Sequence, residues 1–530
     1  MKIWRKIAKW SVFASCFTMT LATPLSAEDV KLRMKGGGFE ISGELKAYNG
    51  TTYAILSNEL GNLTIDANRF DCITPNCPTG PYTAPQSSSI SAATISGETR
   101  IAGSNTIGNA LMPAIIDAFA KRNGLKTQRV VGQNPLDLKI GLLDTSERPI
   151  ATIDLARHGS STSFRELEAH SAEIGMSSRR IKTEEVTKLG AAGLGDMLSP
   201  SNEHVIGLDG LVVIVSSNNP LVSVPQDKLA GIFAGTITDW AELGREPGKI
   251  NVYAPTEDSG TYETFKLLVL DPGKLKLSPE TKRTENHKEQ SDWVAADKDG
   301  IGFVGIAYQR NAKALNIELT CGMIARPSVF SMKTEEYPLT RRLYLYTDGH
   351  PRSPLARAIL DFALSNEAQP VVRGVDFIDQ SPEGLAIDDQ QARVAFALSS
   401  QNPDFSLPIM RRFLSDTKAA HRLSTTLRFQ LNSTALDSKA QGDIRRLAAE
   451  LKSDRNKGKQ VMLLGFADAL GSGPANESLS LARAQSVNSA LRAVGYSGAI
   501  VAGYGEMSPV ACNDTPESRN MNRRVEVWIR

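Results

Sequence analysis

The spacing of apolar residues along the chain changes from simple alternation to a mixed pattern. Near the N-terminus apolar and polar residues alternate, as in Val30 to Met34 and Phe39 to Tyr48, which is typical of half-buried β-strands. From residue 98 onward, short apolar runs alternate with amphipathic helical segments such as Leu111 to Ala120. The pattern predicts a multidomain α/β protein that begins with a small all-β module.

The N-terminal module is predicted to span residues 28–78 and to depend on a disulfide. Several short strand patterns fit within it, and a module of this size has a marginal core. Cys72 and Cys77 are close enough to pair around a tight turn, and a disulfide is the default for them in an exported protein. Residues 79–97 are rich in Ser, Thr, Ala, Pro and Gly and are predicted to be a flexible linker.

The first 27 residues have the pattern of a secretory signal peptide. Four basic residues precede a short apolar run and a small-residue cleavage site at Ala27. Lipidation of Cys16 is disfavoured because the residues before it form a poor lipobox. No later stretch of the mature chain is long and apolar enough to be a transmembrane helix. Removing the segment changes the formal net charge from +2 to −2, which gives no indication of a nucleic-acid partner.

Motifs of catalysis are missing from the sequence. It contains six histidines, but no His-Glu-x-x-His, no Gly-x-Ser-x-Gly and no complete phosphate loop. Gly193-Leu-Gly195 lacks the third glycine of a dinucleotide-binding fingerprint. We therefore expect no catalytic residue, no cofactor and no metal site. Cys321 and Cys512 fall in different predicted domains, and we expect both to be unpaired and buried.

Four polar, glycine-flanked turns in residues 98–385 are candidate anion sites. They lie where predicted strands end or predicted helices begin, so that hydroxyls and backbone amides can surround a negative charge. Each turn alone is a weak signal, because turns of glycine, serine and threonine are common. The turns are centred on Thr106, Ser160, Ser178 and Thr261.

Together, and in this order, the turns resemble those of the periplasmic phosphate-binding proteins of phosphate import systems. Three further motifs carry the resemblance: His204 to Gly210, Leu229 to Trp240, and Gly300 to Phe303. The resemblance implies two α/β lobes that close about a hinge onto a ligand. It places one lobe at residues 98–207 with 338–385, and the other at residues 208–337.

The resemblance also implies a set of anion contacts. The candidate site consists of Thr106, Ile107 (through its backbone), Ser160, Ser178, Arg179, Ser259, Gly260 and Thr261. Two positions depart from the family. Ser178 stands near the place of an aspartate that accepts a proton from phosphate, and Pro255 stands in the place of an arginine. Arg179 or Arg157 would have to replace that cation.

These departures bear on the ligand. The expected ligand is inorganic phosphate or a related oxyanion. Because neutral donors would carry most of the binding, we expect weak affinity for this class of protein. Ser178 lacks the carboxylate that would accept a proton from phosphate. We therefore also expect less discrimination against sulfate.

The C-terminal stretch carries a second candidate site. Val461 to Phe466 is predicted to be a buried strand that ends at Asp468, and a turn of glycine, serine and proline follows. Asn476 is predicted to cap the next helix, and Arg483 lies on the border of that helix's apolar face. Asp468 and Arg483 can therefore meet, either as an intramolecular salt bridge or as a clamp for a zwitterionic ligand.

The wider motif favours the clamp. Gly465-Phe-Ala-Asp468, then Asn476-x-x-Leu-Ser-x-x-Arg483-Ala, and then Asn522-Arg-Arg resemble the OmpA-like peptidoglycan-binding domain over residues 425–530. The resemblance implies an α/β sandwich in which Asp468, Asn476 and Arg483 bind the diaminopimelate of a peptidoglycan stem peptide. Ala467 departs mildly from the family's usual threonine or serine. Residues 386–424 are taken as a connector between the two larger domains.

The favoured function is a non-enzymatic anion-binding protein that is attached to peptidoglycan through its C-terminal domain. The expected location is the periplasm, and attachment at the outer membrane is left open. The alternative is an envelope-organising protein whose binding domain has lost its ligand and serves as a docking surface. Pro255 is the feature that favours this alternative.

Overall fold

The computed structural model describes residues 29–35, 40–48, 52–57, 61–67, 69–74, 77, 82–83, 95–257, 259–349, 351–386, 390–399, 404–429 and 436–530. The chain divides into two compact units after residue 86. The predicted signal peptide, with Cys16, and most of the predicted linker lie outside the described residues.

The first unit is a small antiparallel sheet, as its alternating sequence predicts. Its strands are β1 (Asp29–Met34), β2 (Glu40–Tyr48), β3 (Thr52–Ser57), β4 (Gly61–Asp66), β5 (Phe70–Cys72) and β6 (Tyr82–Thr83). The sheet order is β4-β3-β2-β1-β5, and β6 pairs with β2, so that two residues of the predicted linker belong to the sheet. Leu32, Ile55 and Phe70 are among the apolar side chains of its core. The predicted disulfide between Cys72 and Cys77 is present.

The second unit begins with a two-lobed α/β domain. Its strands are β7 (Gly97–Gly103), β8 (Lys126–Val131), β9 (Asp137–Leu143), β10 (Pro149–Ala156), β11 (Ile174–Ser177), β12 (Glu203–Val215), β13 (Ser223–Pro225), β14 (Asn251–Pro255), β15 (Lys282–Thr284), β16 (Gly300–Gly305), β17 (Lys313–Ala314), β18 (Asn316–Glu318), β19 (Ile324–Ala325) and β20 (Thr340–Tyr346).

The helices of this domain cover the strands. They are α1 (Met112–Arg122), α2 (Ser160–Glu168), α3 (Thr183–Ala191), α4 (Gln226–Ala234), α5 (Gly260–Phe265), α6 (His287–Ala296), α7 (Val329–Lys333), α8 (Pro354–Leu364) and α9 (Gln369–Gly374). A π-helical turn, Ile107–Leu111, leads directly into α1.

Two long strands join the lobes. The main sheet has the order β15-β14-β16-β12-β20-β11-β7-β10-β9-β8, so β12 and β20 lie between the strands of one lobe and those of the other. Apolar cores lie on either side: one contains Ile101, Ile153 and Leu345, and the other contains Phe233 and Phe303. The predicted two-lobed architecture is confirmed, and β12 and β20 are the strands that join the lobes.

The C-terminal domain is an α/β sandwich. Its strands are β21 (Gly384–Ala386), β22 (His421–Arg428), β23 (Val461–Phe466), β24 (Ile500–Gly503) and β25 (Arg524–Ile529), in the order β21-β22-β25-β23-β24. Its helices are α10 (Gln391–Ser399), α11 (Leu407–Thr417), α12 (Ser438–Leu451), α13 (Gly473–Ala493) and α14 (Pro516–Asn522). None of the helices in the described residues combines the length and apolarity that a membrane crossing requires.

The predicted connector, residues 386–424, is part of this domain. Residues Gly384–Ala386 pair with β22 as the edge strand of the sheet. Helices α10 and α11 place Ala397, Met410 and Phe413 in a core with the sheet residues Phe466 and Trp528. The sequence of this segment shows only mixed helical patterns. Its apolar side chains pack against sheet residues that are far away in the chain, and local periodicity does not reveal such partners.

Cys321 and Cys512 form a disulfide, so the prediction that both are unpaired was wrong. Cys321 belongs to the second lobe, and Cys512 follows β24 in the C-terminal domain. Cys512 packs against the apolar core of the second lobe, and the two Cα atoms are 5.8 Å apart. The domains dock, and this docking brings together two cysteines separated by 191 positions.

Buried ion pairs surround this docking surface. Arg422 Nη1, on β22, donates to Glu336 Oε2 of the two-lobed domain at 3.2 Å. Arg428 Nε lies 3.2 Å from Glu335 Oε2, and the same oxygen also accepts a hydrogen bond from Arg342 Nη2. Burial alone would raise the pKa of Glu336, but the Arg422 guanidinium outweighs it and holds this pKa below its ordinary value. The interface is therefore ionic as well as apolar and covalent.

The first prediction concerns the interdomain disulfide. Proteolysis of the exported protein without reductant should release a peptide containing Cys321 joined to one containing Cys512, detectable by mass spectrometry. Replacing both with serine should lower the free energy of unfolding by about 2–5 kcal/mol, because the bond closes a long loop of the unfolded chain. Alkylation of both thiols in unreduced protein would contradict the pairing, and the separate Cys72–Cys77 bond serves as the oxidation control.

The second prediction concerns pH. A carboxyl whose pKa is lower in the folded protein stabilises the fold above its unfolded pKa, and this stabilisation is lost as the pH falls through the folded value. Glu336→Gln should therefore cost about 3–5 kcal/mol at neutral pH, and this difference from wild type should shrink below pH 4.5. Denaturant unfolding between pH 7 and pH 3 measures it. A constant difference would contradict the ion pair, and Glu147→Gln, at an exposed acid, is the control.

Candidate functional site

The candidate anion residues converge on the cleft between the lobes. Thr106 follows β7, Ser160 begins α2, and Ser178 follows β11, so all three lie at the ends of neighbouring strands of the first lobe. Gly260 begins α5 in the second lobe. The chain places polar turns at these strand ends, and the sheet order brings the turns together.

The first-lobe side of the cleft consists of buried hydroxyls. Ser160 Oγ and Ser178 Oγ are 3.1 Å apart, and the backbone amide of Ser178 donates to Ser160 Oγ at 3.1 Å. The three residues Thr106, Ser160 and Ser178 are all buried. Ser160 and Ser178 are therefore hydrogen-bonded to each other, and the buried Thr106 lies at the neighbouring strand end; we call these three side chains the hydroxyl cluster.

The second-lobe side approaches this cluster closely. A Cβ atom on Gly260 would lie 2.5 Å from Thr106 Oγ1, so only glycine permits the contact between the lobes at this point. The Ser259 side chain accepts a hydrogen bond from the Thr261 amide at 3.2 Å and thereby fixes the start of α5. The cleft is closed over the hydroxyl cluster.

Arg341 is a cation of this site that the sequence analysis missed. Its buried guanidinium donates to Thr106 Oγ1 at 2.9 Å and to the Gly260 carbonyl at 3.0 Å, so it contacts both lobes. Its Nε lies 3.3 Å from Asp209 Oδ2. Its Nη1 is buried and has no hydrogen-bond partner within the part of the chain that the structure describes. This donor is therefore available to a ligand.

A sequence signal for Arg341 existed. Leu339, Arg341 and Leu343 occupy alternate, buried positions around and within β20, so the arginine stands where the strand's pattern calls for an apolar residue. A charged side chain at an inward position is buried only with a partner. That partner, Asp209, belongs to the predicted motif from His204 to Gly210.

Glu263 is the second residue that the sequence analysis missed. It lies on α5, and its carboxylate reaches across the cleft to the hydroxyl cluster. Thr106 Oγ1 donates to Glu263 Oε2 at 3.3 Å, and Ser178 Oγ donates to Glu263 Oε1 at 3.5 Å. A carboxylate therefore stands beside Ser178, although Ser178 itself carries none.

The other candidate residues have partners away from the cluster. Arg179 forms a bidentate pair with Glu185, at 2.7 and 2.8 Å, and also donates to Ser161. Burial alone would raise the pKa of Glu185, but the pairing with Arg179 holds it low. Arg157 donates to the backbone carbonyls of residues 135 and 136. The Ile107 amide donates to Ser104 at 3.5 Å. Of these three arginines, Arg341 is the one whose contacts in the described residues include Thr106 and the Gly260 carbonyl.

The C-terminal candidate site has a second arginine. Asp468 Oδ2 lies 2.7 Å from Arg523 Nη1, and its Oδ1 accepts a hydrogen bond from the Leu470 amide at 3.1 Å. Arg483 is buried near this carboxylate and lies over the Phe429 ring, with its Cζ 5.6 Å from the ring centroid. Burial and the neighbouring Arg523 lower the pKa of Arg483 to about 10, so it remains charged at neutral pH. Arg523 belongs to the Asn522-Arg-Arg motif, but the sequence did not indicate a role for it.

Asn476 is not the helix cap. Helix α13 begins at Gly473 after Ser472, so Asn476 lies within its first turns and is buried. Its side-chain amide donates to Glu506 at 3.4 Å. The helix starts earlier than predicted because Pro474 is well suited to the first turn. Asn476 thereby faces the loop after β24 instead of closing the helix end.

Comparison with known proteins agrees with this division. A model of the PBP superfamily domain matches residues 88–367, and a model of the OmpA family matches residues 428–523. The phosphate-binding protein PstS of Bacillus subtilis is 27% identical over 236 residues, which cover 44% of this chain and 73% of that protein. Protein SphX of Synechococcus elongatus is 29% identical over 233 residues, covering 42% of this chain and 67% of that protein.

Comparison with solved structures gives partial matches. A possible phosphate-binding protein from Planctomyces limnophilus is 22% identical, and the match covers 54% of this chain and 93% of that chain with a TM-score of 0.42. The first family match extends over more than half of the 530 residues. The chain therefore belongs to the PBP superfamily and carries a C-terminal OmpA domain.

Proposed function

We propose that this protein is a non-enzymatic receptor for phosphate or a closely related oxyanion, held in the periplasm by attachment to peptidoglycan. The two-lobed domain takes the anion, and the OmpA domain takes the stem peptide of the wall. Relatives named as phosphate-binding proteins support the first part. The membership of the C-terminal domain in the OmpA family supports the second.

The observation that carries the anion site is the position of Arg341. The cation missing at Pro255 on β14 is supplied by β20, and the guanidinium bonds to both Thr106 and Gly260. Ser160 and Ser178 add hydroxyls on the facing wall of the cleft. A buried cation surrounded by neutral donors can offset the hydration that an anion loses on entering the cleft.

The docking-surface alternative is not supported by the comparisons. The relative from Bacillus subtilis is named as a phosphate-binding protein. The alternative rested on Pro255, and Arg341 removes that reason by placing a guanidinium in the cleft. The receptor function is therefore the one that we pursue.

In the wall-binding site, Asp468 and the two arginines offer one negative and two positive charges within a small buried region. A diaminopimelate side chain ends in an ammonium and a carboxylate. Asp468 is suited to the ammonium, and Arg483 is suited to the carboxylate. Arg523 holds the Asp468 carboxylate in position through their 2.7 Å contact.

The third prediction tests the anion site by calorimetry on the full exported chain, because the interdomain disulfide excludes simple excision of the two-lobed domain. Phosphate should bind with measurable heat. Arg341→Met should weaken binding about tenfold to a hundredfold, because a hydrogen bond to a charged group contributes about 1.5–3 kcal/mol.

Arg310→Met is the matched control for Arg341, since Arg310 is a more exposed arginine of the second lobe, paired with Asp292. It should leave the affinity unchanged. Thermal unfolding separates lost binding from lost folding. Absence of heat with millimolar phosphate in the wild type, or equal affinity in Arg341→Met, would contradict the assignment.

The fourth prediction tests the wall site by co-sedimentation with purified peptidoglycan that contains diaminopimelate. Asp468→Asn should reduce binding about tenfold or more, because the ligand's ammonium loses its charged acceptor. The double variant Asp468→Asn with Arg483→Met should bind peptidoglycan little more weakly than either single variant, since both residues bind the same zwitterionic end of the ligand.

Asp454→Asn, at an exposed acid of the same domain, is the control for the wall experiment and should sediment like wild type. Peptidoglycan that lacks diaminopimelate should bind wild type weakly. Equal sedimentation of the double variant and wild type would show that the wall contacts lie elsewhere.

A further inference from the structure

Helix α12 attaches the OmpA domain to the first lobe of the two-lobed domain. Ser438 Oγ donates to Glu203 Oε1 at 2.5 Å, and Arg446 Nη2 donates to Gln380 Oε1 at 2.9 Å. Gln380 is itself tied to the first-lobe half of β12, because its amide donates to the Val205 carbonyl at 3.1 Å. The helix therefore follows the first lobe when that lobe moves.

A loop of the OmpA domain attaches the same domain to the second lobe. Cys512 is bonded to Cys321 in the turn between β18 and β19, and it packs against the apolar core of the second lobe. In the same turn, Thr320 Oγ1 donates to Asp514 Oδ2 at 2.5 Å. This second attachment is covalent, so it persists as long as the disulfide is oxidised.

The helix and the loop belong to one packed body. Ile444 and Leu447 of α12 share an apolar core with side chains of β22, β23 and β25. The loop is held to the start of β25 by the side chain of Asn522. Its Oδ1 accepts hydrogen bonds from the Val510 and Ala511 amides at 2.8 and 3.2 Å. The two attachments therefore cannot move relative to each other unless the OmpA domain deforms.

Both attachments are made while the cleft is closed. Arg341 bonds to Thr106 of the first lobe and to the Gly260 carbonyl of the second lobe in the same arrangement. If the second lobe moved away, it would carry the turn between β18 and β19 with it, whereas α12 would stay with the first lobe. Opening therefore requires that one attachment break or that the OmpA domain deform.

We propose that the OmpA domain, held at Ser438, Arg446 and Cys512, is a brace across the two lobes that restrains opening of the anion cleft. Contacts that are lost on opening shift the population toward the closed arrangement. A bound anion leaves through the open arrangement, so the brace slows its release. The effect on release rests on the proposed function of the cleft, whereas the restraint on the lobes does not.

Distances between two spin labels test the restraint without any ligand, on the full exported chain. Lys121→Cys on α1 and Lys288→Cys on α6 place one label at an exposed helical position of each lobe. The paired cysteines stay unlabelled, because only free thiols react. The labelled chain should give a single distance. Adding Cys321→Ser with Cys512→Ser should produce a second distance, because the second lobe is released.

A second variant releases the other attachment and keeps the disulfide. Ser438→Ala with Arg446→Met removes the contacts to Glu203 and Gln380, and it should also produce a second distance. Thermal unfolding identifies a variant that fails to fold, and the variant of the opposite attachment then provides the comparison. A folded variant of either kind that keeps the single distance overturns the brace, and so do two distances in the labelled chain with both attachments intact.

Release of radiolabelled inorganic phosphate into excess unlabelled phosphate connects the brace with the receptor function. The release rate should rise about tenfold in Cys321→Ser with Cys512→Ser, because the closed arrangement loses its restraint. Cys72→Ser with Cys77→Ser, in the N-terminal unit, is the matched disulfide control and should keep the wild-type rate and the single distance.

The two measurements separate the possible failures. An unchanged release rate together with a second label distance overturns the effect of the brace on anion exchange. Absence of phosphate binding in wild type overturns the receptor function, and the label distances alone then decide whether the brace exists.

Discussion

Buried guanidinium–carboxylate pairs are the interaction on which this structure depends. Arg341 with Asp209 connects the two strands that join the lobes, and Arg422 with Glu336 connects the two large domains. Arg523 with Asp468 lies at the proposed wall-binding site of the OmpA domain. A buried charge is costly without its partner, so each pair fixes a specific arrangement even where its net contribution to stability is small.

The docking of the OmpA domain reaches both lobes of the two-lobed domain. Ser438 donates to Glu203 of the first-lobe half of β12, while Cys512 is bonded to Cys321 of the second lobe. Arg342 on β20 contacts Asp437 at 2.8 Å. The OmpA domain therefore contacts the second lobe and both of the strands that join the lobes.

The sequence was sufficient where the chemistry is local. Alternation predicted the all-β module, since this pattern reflects which face of a strand is buried, whereas the two lobes and the C-terminal sandwich were implied by the family resemblances. Cys72 and Cys77 were paired correctly because they are neighbours. The helix start near Asn476 was misplaced by a few residues, since both Ser472 and Asn476 are good caps and only packing chooses between them.

The sequence by itself determined the domain order, the polar turns at the strand ends and the motif around Asp468 and Arg483. Tertiary structure alone decided which distant residues complete them. Arg341 and Glu263 both reach Thr106 from elements far from it in the chain, and Cys321 meets Cys512 only because two domains dock. The physical reason is that ion pairs and disulfides depend on distance in space. Local periodicity contains no information about that distance.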